Sequence, residues 1–294
     1  MFVDLHLHTL HSDGKLQVRE TIDLAHKSGI SLLSVTDHDS ISGVSEAIEY
    51  SKSRGLCCIS GLEISCRNEM ANVEFPQDIS IHILAYNIDP KNEELTAHLE
   101  KYHTTRRAIL DDLINELVVD DFDMSYDDIH IIAGNQMRIQ DVINHINSCF
   151  MSNEKKEEYI KIAQSYYPKL FSIDNPLKDA LFLIKAAGGI SVLAHAFFSY
   201  KDYEVKQNSF ENLNNLLNYL CDLGLDGIEA FYPKFTNEQT AFLLGEAKKR
   251  NLLITAGSDF HGTPLRREMI NYEIAQMGET VSLLKKIDRY NLRY

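Results

Sequence analysis

Short apolar runs alternate with segments of helical periodicity over the first part of the chain and again over the last part. The first apolar run is FVDLHLHT and the second is SLLSVTDHDS, with the helical segment RETIDLAHKSG between them. This segment and the next, VSEAIEYSKSRG, each end in glycine, as many helices do. Recurrence of strand and helix at a spacing of about 25 residues is typical of parallel β/α units.

The later apolar runs repeat this pattern, and each of them ends near polar or ionisable residues. They are LCCISGLEIS, ISIHILAYNI, ISVLAHAFF, DGIEAFY and LLITAGSDFHG. Nearly continuous apolar runs suit strands that are buried on both faces of a sheet. In closed β/α barrels the chemistry lies at the C-terminal ends of the strands. The pattern therefore predicts an α/β fold of the barrel type, with a functional site at those ends.

The alternation stops between residues 92 and 175, where helical periodicity dominates and no run is a convincing strand. The segments there include ELTAHLEKYHTTRRAILDDLINELV, YDDIHIIAG, MRIQDVINHINSCF and NEKKEEYIKIAQSYY. We expect a helical insertion over residues 92–175 that covers the mouth of the barrel. The barrel itself would then comprise residues 1–91 and 176–294.

Charge and composition limit the binding partners and the cellular compartment that we expect. The formal charge is −14, from 29 Lys and Arg against 43 Asp and Glu, which argues against long duplex nucleic acid as a partner. No apolar run approaches the roughly 18 residues of a membrane span, and the N-terminus lacks the features of a signal peptide. The five cysteines contain no CxxC pair. We therefore expect a cytoplasmic protein without a membrane partner.

Histidines and carboxylates cluster at the ends of the predicted strands. They are His6, His8, His38, His82, His195 and His261, with Asp13, Asp37, Glu63 and Asp259. Imidazole and carboxylate without thiolate suit Zn²⁺, Mn²⁺ or Fe²⁺ better than Ca²⁺. Because one ion cannot take so many ligands, we expect two or three divalent ions, with a carboxylate such as Glu63 bridging two of them.

Each of these residues also has an ordinary structural interpretation. A single histidine in an apolar strand, such as His82 or His195, is more often a core residue, and Glu63 could simply pair with a cation. Nine such residues at equivalent strand ends together favour the metal interpretation. We assign no role to the histidines in helical or polar contexts, and we expect His11 to be a solvated loop residue. The unassigned histidines are His26, His98, His103, His130 and His145.

The segments DLHLHTLHSDG, VTDHDS, GLEIS, IHILAY, VLAHA and GSDFHG, in this order, resemble the PHP (polymerase and histidinol phosphatase) family. The resemblance covers roughly residues 1–90 and 176–294. It implies a distorted seven-stranded β/α barrel with a phosphoesterase centre of two or three metal ions. The insertion resembles that of stand-alone members that act on nucleoside 3′,5′-bisphosphates or on short RNA 5′ ends.

The resemblance also implies which residues hold each ion. The three implied groups are His6, His8, Glu63 and Asp259; then Glu63, His82 and His195; and then Asp13, His38 and His261. Glu63, Asp13 and His38 are the residues to which we assign catalysis. Asp37 resembles a residue that orients a neighbouring ligand without binding the metal.

Two positions depart from the family pattern. Ala196 follows His195 where the family usually has proline, a change that should be harmless. The insertion reads MRIQD where relatives commonly have Arg-Pro-His, so Gln140 stands where a histidine is expected. The substrate therefore stays open, although the expected metal ligands are unaffected.

The expected mechanism follows from the charges. Closely spaced divalent ions lower the pKa of a bridging water, and the resulting hydroxide attacks phosphorus in line with the leaving oxygen. Candidate phosphate-binding cations are Arg106, Arg107 and Arg138 in the insertion, because arginine suits bidentate recognition of phosphate. An exposed helix charge is the alternative for each of them. We expect Arg138 to affect substrate binding more than metal retention.

The leading functional hypothesis is a phosphatase or phosphodiesterase acting on a small nucleotide. A 5′→3′ exoribonuclease working on short RNA with the same metals is the second hypothesis. Histidinol-phosphate hydrolysis is permitted by the barrel motifs, but the insertion argues against it. A non-catalytic binding module of the same fold should have lost ligands, whereas all nine positions are intact here.

Overall fold

The computed structural model describes residues 2–67, 80–118, 136–197 and 209–262, together with Ser125, Asp127 and Ile129. The first elements are β1 (Phe2–Leu7), α1 (Val18–Lys27), β2 (Ile30–Val35), α2 (Val44–Ser53), β3 (Cys57–Cys58), β4 (Gly61–Arg67) and β5 (Ser80–Tyr86). Four helices follow: α3 (Glu93–Val118), α4 (Ile139–Ser148), α5 (Asn153–Ser165) and α6 (Tyr167–Ile173). The last elements are β6 (Asn175–Pro176), α7 (Leu177–Ala186), β7 (Ile190–Leu193), α8 (Ser209–Asp222), β8 (Gly227–Phe231), α9 (Asn237–Arg250) and β9 (Leu253–Ala256).

The described strands form two sheets. One is parallel with the order β1-β2-β3, and the other has the order β6-β4-β5-β7-β8-β9. Two isolated parallel bridges, Leu7 with Phe260 and His38 with Glu63, join the sheets just beyond strand ends. These bridges bring the ends of β1, β2 and β9 close to β4.

The α/β class predicted from the sequence is confirmed, but a seven-stranded barrel is not confirmed. The structure has one sheet of three strands and one of six, and β5 runs antiparallel to both β4 and β7. The expectation of parallel β/α units is therefore wrong for β5. An apolar run buried on both faces does not reveal strand direction, so the pattern could not show this reversal.

Apolar side chains fill the space between the sheets and beneath the helices. Leu5, Leu84 and Val192 are fully buried together between the two sheets. On the outer side of the six-stranded sheet, helices α7, α8 and α9 pack through residues such as Leu217 and Leu243. Burial of this kind is the main favourable contribution to folding, and it holds the strand ends in fixed positions.

Helices α3 to α6 form a further core that begins halfway along α3. Leu113, Val142, Ile146 and Tyr159 are buried in it, whereas Leu95 near the start of α3 belongs to the core of the six-stranded sheet. The bounds 92–175 stay a prediction. Most of the YDDIHIIAG segment and residues 263–294 lie outside the described residues.

Among the described helices, none combines the length and apolar character that crossing a membrane requires. All five cysteines lie in the described part of the chain, and all of them are free thiols.

Candidate metal centre

The structure brings the nine predicted metal ligands together, and Glu63 on β4 lies at the centre of them. The Glu63 side chain is fully buried. Its Oε2 atom lies 3.1 Å from Nε2 of His6, 3.2 Å from Nε2 of His8 and 3.3 Å from Nδ1 of His38. Its Oε1 atom lies 3.1 Å from Nδ1 of His82 and 2.9 Å from Nε2 of His195. Five imidazoles therefore surround one carboxylate.

Asp13 and Asp259 lie beside the two histidines of β1 and its following loop, His6 and His8. Oδ1 of Asp259 lies 3.2 Å from Nε2 of His8 and 3.6 Å from Nε2 of His6. Oδ1 of Asp13 lies 3.1 Å from Nε2 of His261 and 3.7 Å from Nδ1 of His8. His8 therefore presents one ring nitrogen to each carboxylate.

The ligand atoms fall into three compact groups, within each of which all atoms lie within 4.8 Å of one another. The groups are His6, His8, Glu63 and Asp259; then His38, Glu63 and His82; and then His8, Asp13, His38 and His261. The first group is the one implied by the sequence. In the second, His38 joins Glu63 and His82, while Nε2 of His195 lies 3.2 Å from Nδ1 of His82. The third group contains Asp13, His38 and His261, as the resemblance implies, together with His8.

The backbone adopts the left-handed region at three positions after strands around the centre, and two of these positions, His195 and Asp259, carry side chains of the centre. Asp39, His195 and Asp259 have φ of 48°, 24° and 56°, in the region that residues with a side chain rarely adopt. Hydrogen bonds hold each of these peptides. The Asp39 amide donates to the Glu63 carbonyl at 2.7 Å, the Asp259 amide to the His6 carbonyl at 2.9 Å, and the His195 amide to Oε2 of Glu229 at 2.8 Å.

Glu229 and Tyr232 support the centre, and the sequence analysis gave neither of them a role. Oε1 of Glu229 lies 3.0 Å from Nδ1 of His6, so it fixes this ring with Nε2 facing Glu63. The Tyr232 hydroxyl donates to Oδ2 of Asp259 at 2.9 Å. For Glu229 a signal existed, because it is a carboxylate within an apolar strand like Glu63. The sequence contains no comparable signal for Tyr232.

Two more buried carboxylates hold the backbone around the ligands. Asp37 accepts hydrogen bonds from the Thr9 amide and hydroxyl, both at 2.7 Å, and from the Ser12 hydroxyl at 2.6 Å. The Ser12 hydroxyl also lies 3.5 Å from Nδ1 of His8. Asp4 accepts from the Ser258 amide at 3.0 Å and hydroxyl at 2.7 Å, next to Asp259. Ligand orientation by Asp37 stays a prediction, and these contacts show how it could act.

The electrostatics of the centre keep the carboxylates ionised. Burial alone would raise the pKa of Glu63, but the charge of His6, followed by smaller contributions from the other surrounding histidines, holds it well below its usual range. The same balance lowers the pKa of Asp259, mainly through His8. For His38, burial lowers the pKa to about 3 despite the opposing charge of Glu63. His38 is therefore neutral and offers a lone pair, the form that binds a metal. The neighbouring carboxylates instead raise the pKa of His8, to about 10, and that of His6.

The residues present fit divalent ions. Nδ1 of His38 and Oδ1 of Asp13 are buried and form no hydrogen bond among the described residues. Buried polar atoms without partners are rare in folded proteins, and each one needs an explanation. Here both belong to compact groups of imidazole and carboxylate, a donor set that suits Zn²⁺, Mn²⁺ or Fe²⁺.

The three candidate arginines lie in different surroundings. Arg138 donates from Nη1 to Oδ2 of Asp13 at 2.8 Å and so reaches the centre. Arg106 donates from Nη2 to the Met137 carbonyl at 3.0 Å. Arg107 pairs with Asp111 one turn along α3, with its Nε 2.9 Å from Oδ1. These contacts support a role at the centre for Arg138 and leave the substrate role of the other two a prediction.

Gln140 and most of the histidines to which we assign no metal lie in the described part of the chain. The side-chain amide of Gln140 donates to Asn144 along α4 and is exposed. His103, on α3, donates from Nε2 to the Asp39 carbonyl at 2.8 Å, next to His38. Nε2 of His98 bonds to Asn175. His11 is half-buried, and its amide donates to the Thr9 hydroxyl. His130 lies outside the described residues.

An α/β fold with buried histidines and carboxylates gathered in and just beyond its strands defines a protein with a metal-binding site of the kind that hydrolases use. The family model described as PHP domain matches residues 4–220 of this chain, and the chain belongs to that family. The family resemblance seen in the sequence is thereby confirmed. The chain is a metal-dependent phosphoesterase, a hydrolase of phosphate esters.

Three similar proteins come from different bacteria. A 5′-3′ exoribonuclease of Haemophilus influenzae is 28% identical over 88% of this chain and 89% of its own length. A phosphoribosyl 1,2-cyclic phosphate 1,2-diphosphodiesterase of Eggerthella lenta is 26% identical, with 89% and 95% covered. A 3′,5′-nucleoside bisphosphate phosphatase of Chromobacterium violaceum is 26% identical, with 88% and 87% covered.

Two crystal structures share the fold. One is of a protein from Bifidobacterium adolescentis described as a metal-dependent phosphoesterase, with a TM-score of 0.69, 24% identity and 94% of each chain covered. The other, described as an amidohydrolase from Chromobacterium violaceum, has a TM-score of 0.66 and 23% identity over 90% of this chain and 89% of its own. At this level of identity the likeness supports the fold alone.

Proposed function

We propose that the chain hydrolyses phosphate esters of a small nucleotide, with a nucleoside 3′,5′-bisphosphate as the first candidate substrate. The observation that carries this proposal is the arrangement of five imidazoles around the buried carboxylate of Glu63, 2.9–3.3 Å from its oxygens. Burying so many ionisable groups together is costly, and in folded proteins such groups pair with one another or coordinate metal ions, which is why this arrangement supports a metal centre.

The three compact groups would hold two or three ions of Mn, Zn or Fe. Glu63 belongs to two of these groups, so it would serve as a ligand in both. Asp13 and His38 share the third group and would help to hold an ion there. We accordingly assign catalysis to Glu63, Asp13 and His38.

Divalent ions at this centre would activate water at neutral pH and stabilise charge on the phosphate oxygens. The chain's own residues supply the geometry. Glu229 fixes the ring of His6, and Tyr232 fixes Asp259, so the ligands are oriented before substrate binds. The Arg138 guanidinium adds a cation beside Asp13.

The choice of substrate rests on the relatives and on the helical insertion. The names of the three relatives refer to RNA, to a phosphoribosyl cyclic phosphate and to a nucleoside bisphosphate. A ribose phosphate is therefore the common chemistry that we carry over to this chain. The charge of −14 favours a small substrate over a long polyanion. We propose that the insertion, residues 92–175, selects this substrate.

A second candidate function is 5′→3′ exoribonuclease activity on short RNA. It is favoured by the relative from Haemophilus influenzae, which shares 28% identity over 88% of this chain. The same metal centre would serve both activities. For the compartment we propose a reducing cytoplasm, which the five free thiols support.

A phosphate-release screen with Mn²⁺ tests the proposal. The substrates are nucleoside 3′,5′-bisphosphates, nucleoside monophosphates, histidinol phosphate and short 5′-phosphorylated RNA. We expect the highest kcat/KM on a bisphosphate, and stepwise release of mononucleotides from the RNA would instead establish the second candidate. The Glu63→Gln variant, which should be inactive, controls for contaminating phosphatases. The best turnover on histidinol phosphate, or equal turnover by this variant, would contradict the proposal.

A further inference from the structure

A short segment of the insertion, Gln136–Met137–Arg138, lies against the two loops that carry Asp13 and His38. We call it the crossing segment. The Gln136 amide donates to the Ser12 carbonyl at 3.0 Å, and the Gln136 side chain donates to the His38 carbonyl. The crossing segment therefore touches the backbone beside one proposed ligand and the backbone of another.

The guanidinium of Arg138 is held in one orientation by Asp141. Nε of Arg138 donates to Oδ2 of Asp141 at 3.0 Å, and Nη2 donates to Oδ1 at 3.1 Å. Oδ2 of Asp141 also accepts from the Arg138 amide at 3.0 Å, at the start of α4. A two-pronged pairing of this kind fixes the plane of the guanidinium. The remaining Nη1 points to Asp13.

The two oxygens of Asp13 face different partners. Oδ2 accepts from Nη1 of Arg138 at 2.8 Å. Oδ1 faces Nε2 of His261 at 3.1 Å and Nδ1 of His8 at 3.7 Å, and it forms no hydrogen bond among the described residues. The Asp13 side chain is 8% exposed, whereas that of Arg138 is 40% exposed. Arg138 of the insertion thus holds Oδ2 of Asp13, and Oδ1 stays directed at His261 and His8.

We propose that Arg138 is a positioning residue: it holds Oδ2 of Asp13 so that Oδ1 faces His8, His38 and His261, and it thereby sets divalent-ion binding at this group. The proposal rests on the proposed function, which makes this group a metal site. It also differs from the expectation drawn from the sequence, in which Arg138 serves substrate binding rather than metal retention. The insertion would then help to build the centre as well as cover it.

The sign of the effect separates positioning from simple electrostatics. The positive charge of Arg138 by itself opposes the binding of a cation nearby, so its removal would tighten Mn²⁺ binding if charge were its only contribution. If Arg138 acts by orienting Asp13, its removal weakens Mn²⁺ binding. Loss of a residue that orients a metal ligand typically lowers metal affinity about 10–100-fold.

The experiment measures Mn²⁺ binding to the metal-free protein without substrate, by electron paramagnetic resonance of the free ion. In Arg138→Met, we expect one class of sites to lose affinity by about 10–100-fold, while the remaining sites bind as in the wild type. Arg138→Lys keeps the charge but cannot form the fork with Asp141, and we expect it to lose affinity as well. Arg19→Met is the matched control, because Arg19 pairs with Glu46 at 2.7 Å and is 66% exposed.

Unchanged or tighter Mn²⁺ binding in Arg138→Met would overturn the proposal. If that variant misfolds by circular dichroism, Arg138→Lys decides the question, and wild-type Mn²⁺ affinity in it would overturn the proposal too. Steady-state kinetics give a second readout: we expect the loss of activity to be recovered at saturating Mn²⁺. A raised KM that persists there would return Arg138 to substrate binding. Because the Mn²⁺ titration contains no substrate, failure of the substrate screen leaves it intact.

Discussion

Glu63 shows how a single residue organises the chemistry of this chain. Its carboxylate is fully buried, yet the imidazoles of five histidines lie within 3.3 Å of its two oxygens. Burial raises the pKa of a carboxyl group, and only the surrounding charges keep this one ionised. A residue that keeps its charge in a buried site is a strong candidate for function.

Replacing Glu63 by glutamine should abolish turnover and leave the fold intact. The amide keeps the size of the carboxylate but loses the charge and one of the two oxygens with which Glu63 would bridge ions. We expect phosphate release to fall by at least about a hundredfold, since even residues behind the ligands contribute 10–100-fold. Phosphate release and metal content, measured with circular dichroism on the same preparation, check this. Near wild-type release with metals bound would show that Glu63 is not the bridge.

Gly257 is the second residue on which the centre depends, because no side chain fits there. A Cβ atom at this position would lie 2.2 Å from Cβ of His6 and 2.5 Å from Oε1 of Glu229. Gly257→Ala should therefore displace His6 and destabilise the fold by about 1–3 kcal/mol, with loss of activity.

Gly245→Ala is the matched control for this prediction. Gly245 is exposed on α9, and a Cβ there meets nothing within 4 Å. Alanine at such a helix position should stabilise the fold by about 0.5–1 kcal/mol. Urea unfolding and phosphate release, measured on both variants, check the pair. Equal activity of Gly257→Ala and wild type would mean that His6 tolerates displacement.

At the scale of secondary structure, the sequence predicted which segments carry the site better than it predicted how they pair. The positions of His195 and Asp259, just beyond β7 and β9, followed from apolar runs that end in ionisable residues. Glu63, which was expected at a strand end, lies inside β4. The antiparallel direction of β5 did not, because direction depends on the loops and not on the run itself. Contacts such as Tyr232 with Asp259 depend on how β8 and β9 lie side by side, which local pattern does not encode.

Helices α8 and α9 are joined by a network whose strength should depend on pH. Glu246 on α9 pairs with Lys249 and Arg250, and Arg250 donates to Asn214 and Asn218 of α8, both at 2.6 Å. Burial would raise the pKa of Glu246, but the hydrogen bonds from these two cations lower it. Because the folded-state pKa lies below the unfolded one, this stabilisation is present above the unfolded value and is lost as pH falls through the folded value.

Glu246→Gln should therefore lower the free energy of unfolding near neutral pH by about 1 kcal/mol, the upper range for an ion pair near the surface. The difference from the wild type should shrink as pH falls below about 4, where the wild-type carboxyl also becomes neutral. Urea unfolding from pH 3.5 to pH 7 measures it, and Glu49→Gln, an exposed carboxylate on α2, is the control. A difference that stays constant over this pH range would contradict the assigned cause.

At the scale of the whole molecule, the metal centre joins parts of the chain that are distant in sequence. The three compact ligand groups draw on residues from His6 to His261. Arg138, from the helical part of the chain, adds its contact to Asp13. Bound ions would therefore tie β1, β4, β5 and the loops after β2, β7 and β9 into one unit. Ligands that bind only the folded state stabilise it by mass action.

Removal of the metals should for this reason lower the thermal stability of the whole chain and not only its activity. We expect purified protein to carry at least two divalent ions, because the eight residues of the three compact groups exceed the needs of one ion. At a free Mn²⁺ concentration of about 100 times the dissociation constant, one ion adds about 2.7 kcal/mol to the free energy of unfolding. For a chain of 294 residues, that corresponds to a rise in Tm of roughly 4 °C. Calorimetry of chelator-treated protein, before and after Mn²⁺ is restored, measures the shift in Tm, and Glu63→Gln should show a smaller shift.

An unchanged Tm in the wild type, or less than one ion per chain by elemental analysis after reconstitution, would contradict this account of the centre.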